Sequence, residues 1–272
     1  MKRVGIFVLS AAVVISLIAT LPAALFIPKN HYLTPQKQMI ISDVRGSIWQ
    51  GQVLVLAQNQ PTQLLVEWDT SSLCLLGMSV CLNFKINTLT TKATKSTITG
   101  RLKIPLLSAI PAQQCLLPGR LNVSNLNATV NSDLVKLLVP ELIQSTQTLS
   151  LKDVNVELNL NRNTLDFESG VMAVTQGQVK YTDPLAQTRS TSIPGLDGQF
   201  AQGDNGFELI MSDSQDMAFI GILSSQAKDN IRLVIYDAFA QAFGAPTLNG
   251  GVGNVPRFEI EQGVQDLLCN TK

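Results

Sequence analysis

Apolar and polar residues alternate along most of the chain after about residue 40, which is the pattern of half-buried β-strands. Within residues 81–89, for example, Leu82, Phe84 and Ile86 fall on one face, and asparagine and lysine fall between them. Residues 154–160 repeat this alternation. The pattern predicts a mainly β fold in which a curved, mostly antiparallel sheet follows an N-terminal transmembrane helix.

Two short segments instead carry helical signals. Residues 132–144 place leucines near helical spacing and contain Pro140, which should break or kink a helix. Residues 236–246 contain two phenylalanines four positions apart and end in Gly244 and Pro246, a helix-stop signal. We therefore expect one or two short helices within the sheet domain.

The N-terminal segment is uncharged from residue 4 to residue 27, which is long enough to cross a bilayer core of about 30 Å. Lys2 and Arg3 precede it and favour a cytoplasmic start. We interpret residues 1–28 as an uncleaved membrane anchor, and the alternative is a signal peptide cleaved near Ala23. Either interpretation predicts that the remainder of the chain is exported.

The charge balance and the cysteines limit the class of protein. Lysine and arginine together number 20, as do aspartate and glutamate, so no net charge draws the chain to nucleic acid. The four cysteines all follow the predicted anchor, and an even number of cysteines suits an oxidising compartment such as a periplasm.

The cysteine spacing suggests a disulfide. If residues 77–78 form a two-residue turn, Cys74 lies opposite Cys81, within the distance that a disulfide spans. We predict a Cys74–Cys81 disulfide, with two free buried thiols as the alternative. Pairing of Cys115 with Cys269 follows only by elimination.

The chain also contains a weak internal sequence repeat. The run IWQGQVLV around Gln50 is matched by VTQGQVKY around Gln176. This repeat predicts that the exported part consists of two β-units, residues 29–145 and 146–272, with one continuous domain as the alternative.

Residues that could carry catalysis are scarce. The single histidine, His31, follows the predicted anchor at the membrane interface, so no histidine cluster can form. The chain lacks a Gly-x-Ser-x-Gly nucleophile motif, and the glycine run at residues 249–254 lacks the Lys-Ser/Thr ending of a phosphate loop. We therefore expect no enzyme activity, no metal and no cofactor.

Two tryptophans and three glycines, of which Gly77 is the third, form the most distinctive pattern. Gly46 and Gly51 flank Trp49, and their positions suggest a bulge or a close backbone approach in a strand. Trp68 ends a second predicted strand. We interpret the tryptophans as packing residues, and the alternative is that they stack on a ligand.

This pattern resembles the type II secretion system protein N family. Members of that family carry an anchor that often ends in Leu-Pro-Ala, as at residues 21–23, and a later Leu-Leu-x-Gly, as at Leu75, Leu76 and Gly77. The Val-x-Gly-Thr/Ser-aliphatic-Trp-x-Gly motif of the family is matched by Val44, Gly46, Ser47, Ile48, Trp49 and Gly51. The chain departs from the family pattern in the residues after Trp68 and in the hairpin cysteines.

The resemblance implies an accessory component of the machinery that exports folded proteins across the outer membrane. It implies a single pass through the inner membrane, a periplasmic β-rich domain, other inner-membrane secretion components as partners and no catalytic residues. An alternative function is lipid binding or transport by a β-groove of the AsmA-like kind, which is also anchored in the inner membrane.

Overall fold

A computed structural model describes residues 22–23, 27, 39–57, 63–89, 95–106, 119–132, 134, 142–182, 187–203, 206–246 and 254–264. These residues form β1 (Met39–Gly46), β2 (Gln50–Ala57), β3 (Gln63–Ser71), β4 (Ser79–Leu89), β5 (Thr97–Pro105), β6 (Arg120–Asn131), β7 (Leu142–Ser145), β8 (Thr148–Asn159), β9 (Thr164–Val174), β10 (Gly177–Thr182), β11 (Thr188–Ile193), β12 (Leu196–Gly203), β13 (Gly206–Ser212), β14 (Ala218–Ser224), β15 (Asn230–Tyr236) and β16 (Pro256–Gly263). Helix α1 (Leu73–Leu76) lies between β3 and β4, and helix α2 (Asp237–Ala242) follows β15.

Thirteen of these strands form one sheet, in the order β1-β2-β3-β4-β5-β6-β8-β9-β12-β13-β14-β15-β16. The strands β11, β10 and β7 form a second sheet of three. Every neighbouring pair is antiparallel, for example β3 with β4 and β8 with β9. The prediction of a mainly β fold with an antiparallel sheet and one or two short helices is confirmed.

The strand register sorts the side chains of the large sheet onto two faces. Facing residues on successive strands form one apolar row, which consists of Val66, Ile86, Ile98, Ala128, Leu151 and Met172. The adjacent row is polar and consists of Glu67, Lys85, Thr99 and Asn127. We call these two sides the apolar face and the polar face.

Bulges interrupt the pairing of β5 with β6, of β6 with β8 and of β8 with β9. Asn125 and Asp153 have positive φ there, and Asn155 donates a hydrogen bond to the Ser169 hydroxyl at 2.8 Å. Such bulges bend a strand and increase its twist. The Leu165 N–H donates to the Lys228 carbonyl, so β9 contacts the β14–β15 turn although other strands separate them in the sheet. The sheet therefore curls back on itself.

The largest core cluster lies where the apolar face of the large sheet is covered. Helix α2 packs against this cluster, and Phe243 contacts the ring of Tyr181 on β10. Phe167 on β9 stacks on Phe200 of β12 with ring centroids 4.5 Å apart. The buried members of the cluster are Val154, Val179, Ile193, Leu196, Phe200, Phe207, Leu209, Met211 and Phe219.

Of the local elements predicted from the sequence, the structure confirms one helix and contradicts one turn. The helix predicted in residues 236–246 is α2, and Gly244 follows it with a φ of +83°. The other predicted helix, in residues 132–144, lies mostly outside the described residues, and its last residues, from Leu142, belong to β7. The two-residue hairpin turn predicted at residues 77–78 is wrong, because residues 73–76 form one helical turn, α1, instead of a strand.

The predicted anchor lies outside the described residues except for Pro22, Ala23 and Ile27. In the part of the chain that the structure describes, no helix is long and apolar enough to span a membrane. The division into two β-units stays a prediction, and residues on both sides of it contribute strands to the large sheet.

Candidate functional site

The turn between β1 and β2 is built around one serine. The Ser47 N–H donates to the Gln50 carbonyl at 2.8 Å, which closes the turn. The Ser47 hydroxyl accepts hydrogen bonds from the N–H groups of Trp49 and Gln50, at 3.2 and 3.1 Å. A serine hydroxyl that bonds to nearby backbone favours a turn over a continued strand. We call residues 44–51 the Trp-Gly motif, and its middle is therefore a tight turn at the end of the sheet.

Gly46 and Gly51 pair directly across this turn. Gly46 has a φ of +90°, and a Cβ atom there would lie 2.4 Å from the Gln50 carbonyl oxygen. A Cβ on Gly51 would lie 2.5 Å from Cζ2 of Trp68 and 2.6 Å from the Arg45 carbonyl oxygen. Gly51 thus makes room for the indole ring of Trp68, which faces it on β3.

The packing of Trp68 continues as a cross-strand row. Trp68 pairs with Phe84 on β4, and Phe84 pairs with Gly100 on β5. The ring of Phe84 lies over Gly100, with Cζ at 2.8 Å from an ideal Cβ position. The sequence interpretation did not identify Phe84 or Gly100 as parts of this row. This row can be recognised only from the strand register, because the register pairs Trp68 with Phe84 and Phe84 with Gly100.

The two tryptophans have different roles. Trp68 packs against the apolar cluster formed by β1, β2 and the described part of the N-terminal segment. Trp49 is half-buried in the turn, and its carbonyl accepts a hydrogen bond from the Thr70 N–H at 2.6 Å. The ring over the motif glycine is therefore that of Trp68.

Three residues of the apolar N-terminal segment contact this end of the sheet. Pro22 forms an isolated antiparallel bridge with Ser47 in the β1–β2 turn. Ala23 is buried, and Ile27 packs on the same cluster and donates its N–H to the Ala23 carbonyl at 3.0 Å. Ala23 and Ile27 thus pack on the apolar face of β1–β3.

The predicted Cys74–Cys81 disulfide is present, with Cα atoms 5.7 Å apart. It joins α1 to β4, and the Gly77 N–H donates to the Cys74 carbonyl at 3.0 Å, which ends the helical turn. The guanidinium of Arg101 on β5 lies 3.3 Å from the Cys74 sulfur. Cys115, Cys269 and His31 lie outside the described residues.

An open cavity of about 520 Å³ borders the Gly51 and Trp68 row. Its lining carries two cationic side chains, Arg45 and Lys85, and two anionic ones, Glu67 and Asp69. Among the described residues, no group of three or more histidine, cysteine, aspartate or glutamate side chains could hold a metal ion. The described side chains at this end of the sheet thus provide aromatic packing and charged groups for polar contacts.

One pKa shift lies on the opposite part of the sheet. Burial raises the pKa of the Tyr236 hydroxyl on β15, and the nearby carboxylates of Glu208 and Glu259 raise it further. Beside it, Asp237 at the start of α2 forms an ion pair with Arg257 of β16 at 2.7 Å. These groups connect α2 with the edge of the sheet and do not converge with the Trp-Gly motif.

Comparison with known families gives one match. A family model described as Type II secretion system (T2SS), protein N, matches residues 37–249. This range contains the turn between β1 and β2, the Cys74–Cys81 disulfide, both sheets up to β15 and helix α2. No curated protein and no solved structure gives a significant match.

Proposed function

Because the chain belongs to the type II secretion system protein N family, we propose that it is an inner-membrane-anchored accessory component of type II secretion. Its sheet domain lies in the periplasm and acts by binding other inner-membrane components of the secretion machinery. The observation that carries this proposal is the family match, which covers residues 37–249.

The membrane part of the proposal rests on the N-terminal sequence and its contacts. Residues 4–21 are uncharged, and 18 residues in a helix extend about 27 Å, close to the thickness of a bilayer core. Pro22 and Ala23 already contact the sheet domain, so the span is shorter than the apolar run itself. The basic residues Lys2 and Arg3 favour a cytoplasmic N-terminus, which leaves the sheet in the periplasm.

Quantitative pull-down from detergent-solubilised membranes tests the proposal. The bait is the tagged full chain, and the matched control bait carries an unrelated transmembrane helix in place of residues 1–21. We expect both baits to enrich inner-membrane secretion components over a tagged unrelated membrane protein, because the sheet domain makes the contacts. Enrichment of these components no greater than with the unrelated protein would contradict the proposal.

A second candidate function, lipid binding, is favoured by one observation. The apolar face stays exposed at its C-terminal edge, where Leu233 on β15 and Phe258 and Ile260 on β16 reach solvent. A contiguous exposed apolar patch on a folded chain is typical of a surface that contacts another molecule, and Leu233 pairs directly with Ile260. In the lipid-binding function, acyl chains of the lipid lie along this face.

Phospholipid analysis of a purified chain that begins at Pro22 tests this second function. Ile260→Lys places a charge on the apolar face, and Ile210→Lys places one at an exposed isoleucine of the polar face. Lipid binding predicts bound phospholipid that Ile260→Lys removes and Ile210→Lys retains. Purified chain without phospholipid argues against this function and leaves the secretion proposal intact.

A further inference from the structure

Several turns lie at the same end of the large sheet. The β1–β2 turn contains Ser47 and Trp49, and helix α1 connects β3 to β4 at that same end. Strand β5 also ends there, because the Leu106 N–H donates to the Met78 carbonyl at 2.9 Å. We call this the turn end of the sheet.

The apolar N-terminal segment meets the sheet at the turn end. Pro22 is bridged to Ser47, so the uncharged residues 4–21 end on the turn itself, without intervening linker residues. If residues 4–21 span a bilayer, the turn end must lie at the membrane surface. The strands then point toward the bilayer with this end first.

Helix α1 and its turn form an exposed apolar loop at this end. Leu73 is 75% exposed, Leu76 is 85% exposed and Met78 is 61% exposed. Leu106 at the end of β5 is exposed beside them. No acidic residue lies in the first turn of α1 and no basic residue in its last turn. Four adjacent apolar side chains with this exposure form a patch that calls for a contact.

The loop also extends farther than the neighbouring turn. The Thr70 N–H bonds to the Trp49 carbonyl, so Thr70 is level with the β1–β2 turn. Strand β3 continues through Ser71, and α1 follows. At about 3.4 Å per strand residue, the loop projects several ångströms beyond the point where the N-terminal segment joins the sheet. Amphipathic elements bury their apolar side roughly 5–10 Å into the membrane interface, a similar depth.

The loop is held in place by covalent and backbone bonds. The Cys74–Cys81 disulfide closes it, and the hydrogen bond from Leu106 to the Met78 carbonyl ties it to β5. Lys103, which is exposed on β5 and faces Cys81, supplies a cation for anionic lipid headgroups at this end. The apolar side chains are therefore presented without an additional ordering step.

We propose that the disulfide loop, residues 72–78 together with Leu106, inserts into the lipid interface of the inner membrane. This proposal rests on the anchoring of residues 4–21 proposed above. The loop gives the domain a second membrane contact besides its anchor. Two contacts on different hairpins fix the sheet upright on the bilayer, whereas an anchor alone would permit rotation.

Tryptophan fluorescence in vesicles tests this contact with the full chain. Leu76→Trp places an indole in the loop, and Leu89→Trp places one at the other end of β4, where Leu89 is 39% exposed. The two positions lie about 35 Å apart along the strand direction. The vesicles contain phosphatidylethanolamine and phosphatidylglycerol with acyl chains brominated near the headgroup, and the wild-type chain gives the background of Trp49 and Trp68.

We expect brominated lipid to remove most of the fluorescence added by Leu76→Trp and none of that added by Leu89→Trp. Leu73→Trp is a second probe in the loop and should be quenched likewise. Chains that float with the vesicles while the Leu76→Trp and Leu73→Trp signals stay unquenched would overturn the loop contact and leave the anchor in place. Chains that do not float with the vesicles would overturn the anchor, and the loop contact with it.

Discussion

At the residue scale, Gly51 of the Trp-Gly motif makes a close contact with the indole of Trp68. Gly51→Ala should lower the free energy of unfolding by about 1–3 kcal/mol, because the new methyl group meets both the ring and the Arg45 carbonyl. Urea unfolding followed by circular dichroism measures the change.

Gly77→Ala is the matched control for this substitution. The nearest atom to a Cβ at Gly77 is the Cys74 carbonyl oxygen at 3.5 Å, and the φ of −92° suits alanine. Its free energy of unfolding should stay within about 0.5 kcal/mol of the wild type. Equal stability of Gly51→Ala and Gly77→Ala would show that the ring does not need the glycine.

The sequence could identify Gly46, Gly51 and Trp68 but not the contact between them. Composition and spacing mark glycines as positions of close approach. The partner of such a glycine depends on the register between strands, which a one-residue slip would change completely. For this reason the sequence predicts that both tryptophans are packing residues, but not that Trp68, rather than Trp49, covers Gly51.

Tyr236 makes stability depend on pH in the alkaline range. Its pKa is raised above the ordinary value of 10.0 in the folded chain. Below about pH 10 the hydroxyl is protonated in both the folded and the unfolded chain, and the free energy of unfolding has its full value. Above about pH 10 the unfolded chain loses the proton first, and the free energy of unfolding falls until the folded hydroxyl also ionises.

Denaturation of the wild type and of Tyr236→Phe at about pH 9 and about pH 11 measures this effect. The wild type should lose more stability than Tyr236→Phe between the two pH values, since phenylalanine does not ionise. An equal loss in both proteins would mean that the Tyr236 hydroxyl titrates normally.

At the scale of elements, an ion pair fastens α2 to the edge strand β16. Arg257 donates to the Asp237 carboxylate at 2.7 Å and to the Pro246 carbonyl at 2.8 Å, and both side chains of the pair are largely buried. Arg257→Met should cost about 3 kcal/mol, because it leaves the Asp237 charge buried without this cation.

Arg232→Met is the control for Arg257→Met. Arg232 lies on β15, 3.6 Å from Glu259, and about half of each side chain is exposed. Its replacement should cost no more than about 1 kcal/mol. Thermal unfolding of both variants separates the two cases, and a similar loss in each would argue against a special role of the buried pair.

Local signals decided which elements the sequence could predict. Helix α2 was predictable because two phenylalanines, Gly244 and Pro246 mark one face and one end of it. Helix α1 was not, since Leu73–Leu76 is apolar at every position and a four-residue turn has no periodicity of its own. The disulfide was nevertheless predicted, because either local structure brings Cys74 and Cys81 within reach.

At the scale of the whole molecule, Ala23 and Ile27 of the N-terminal segment pack in the core of the sheet domain. A chain that begins at Pro22 keeps Ala23 and Ile27 in the apolar cluster with β1 and β2, whereas a chain that begins at residue 29 loses them. The shorter chain should be less stable by about 2 kcal/mol, the scale of burying one aliphatic side chain. Matching urea midpoints for the two chains would contradict this packing.

The pattern of strands was readable over the whole chain, but the pairing of distant elements was not. Alternation predicted an antiparallel β fold, and one sheet of thirteen strands is consistent with successive hairpins. The departure of β7, β10 and β11 into a second sheet depends on which apolar surfaces meet in three dimensions. The part of the predicted anchor that packs on the sheet could not be read from hydropathy, because Ala23 and Ile27 are apolar in either environment.

Export of type II substrates in the source bacterium is the most direct test of the central claim, a role in type II secretion. The measurement is the ratio of a secreted substrate in the medium to that in the periplasm, in a strain that lacks this chain. We predict that the ratio falls and that the wild-type chain and Gly77→Ala both restore it. An unchanged ratio for every type II substrate would contradict the claim.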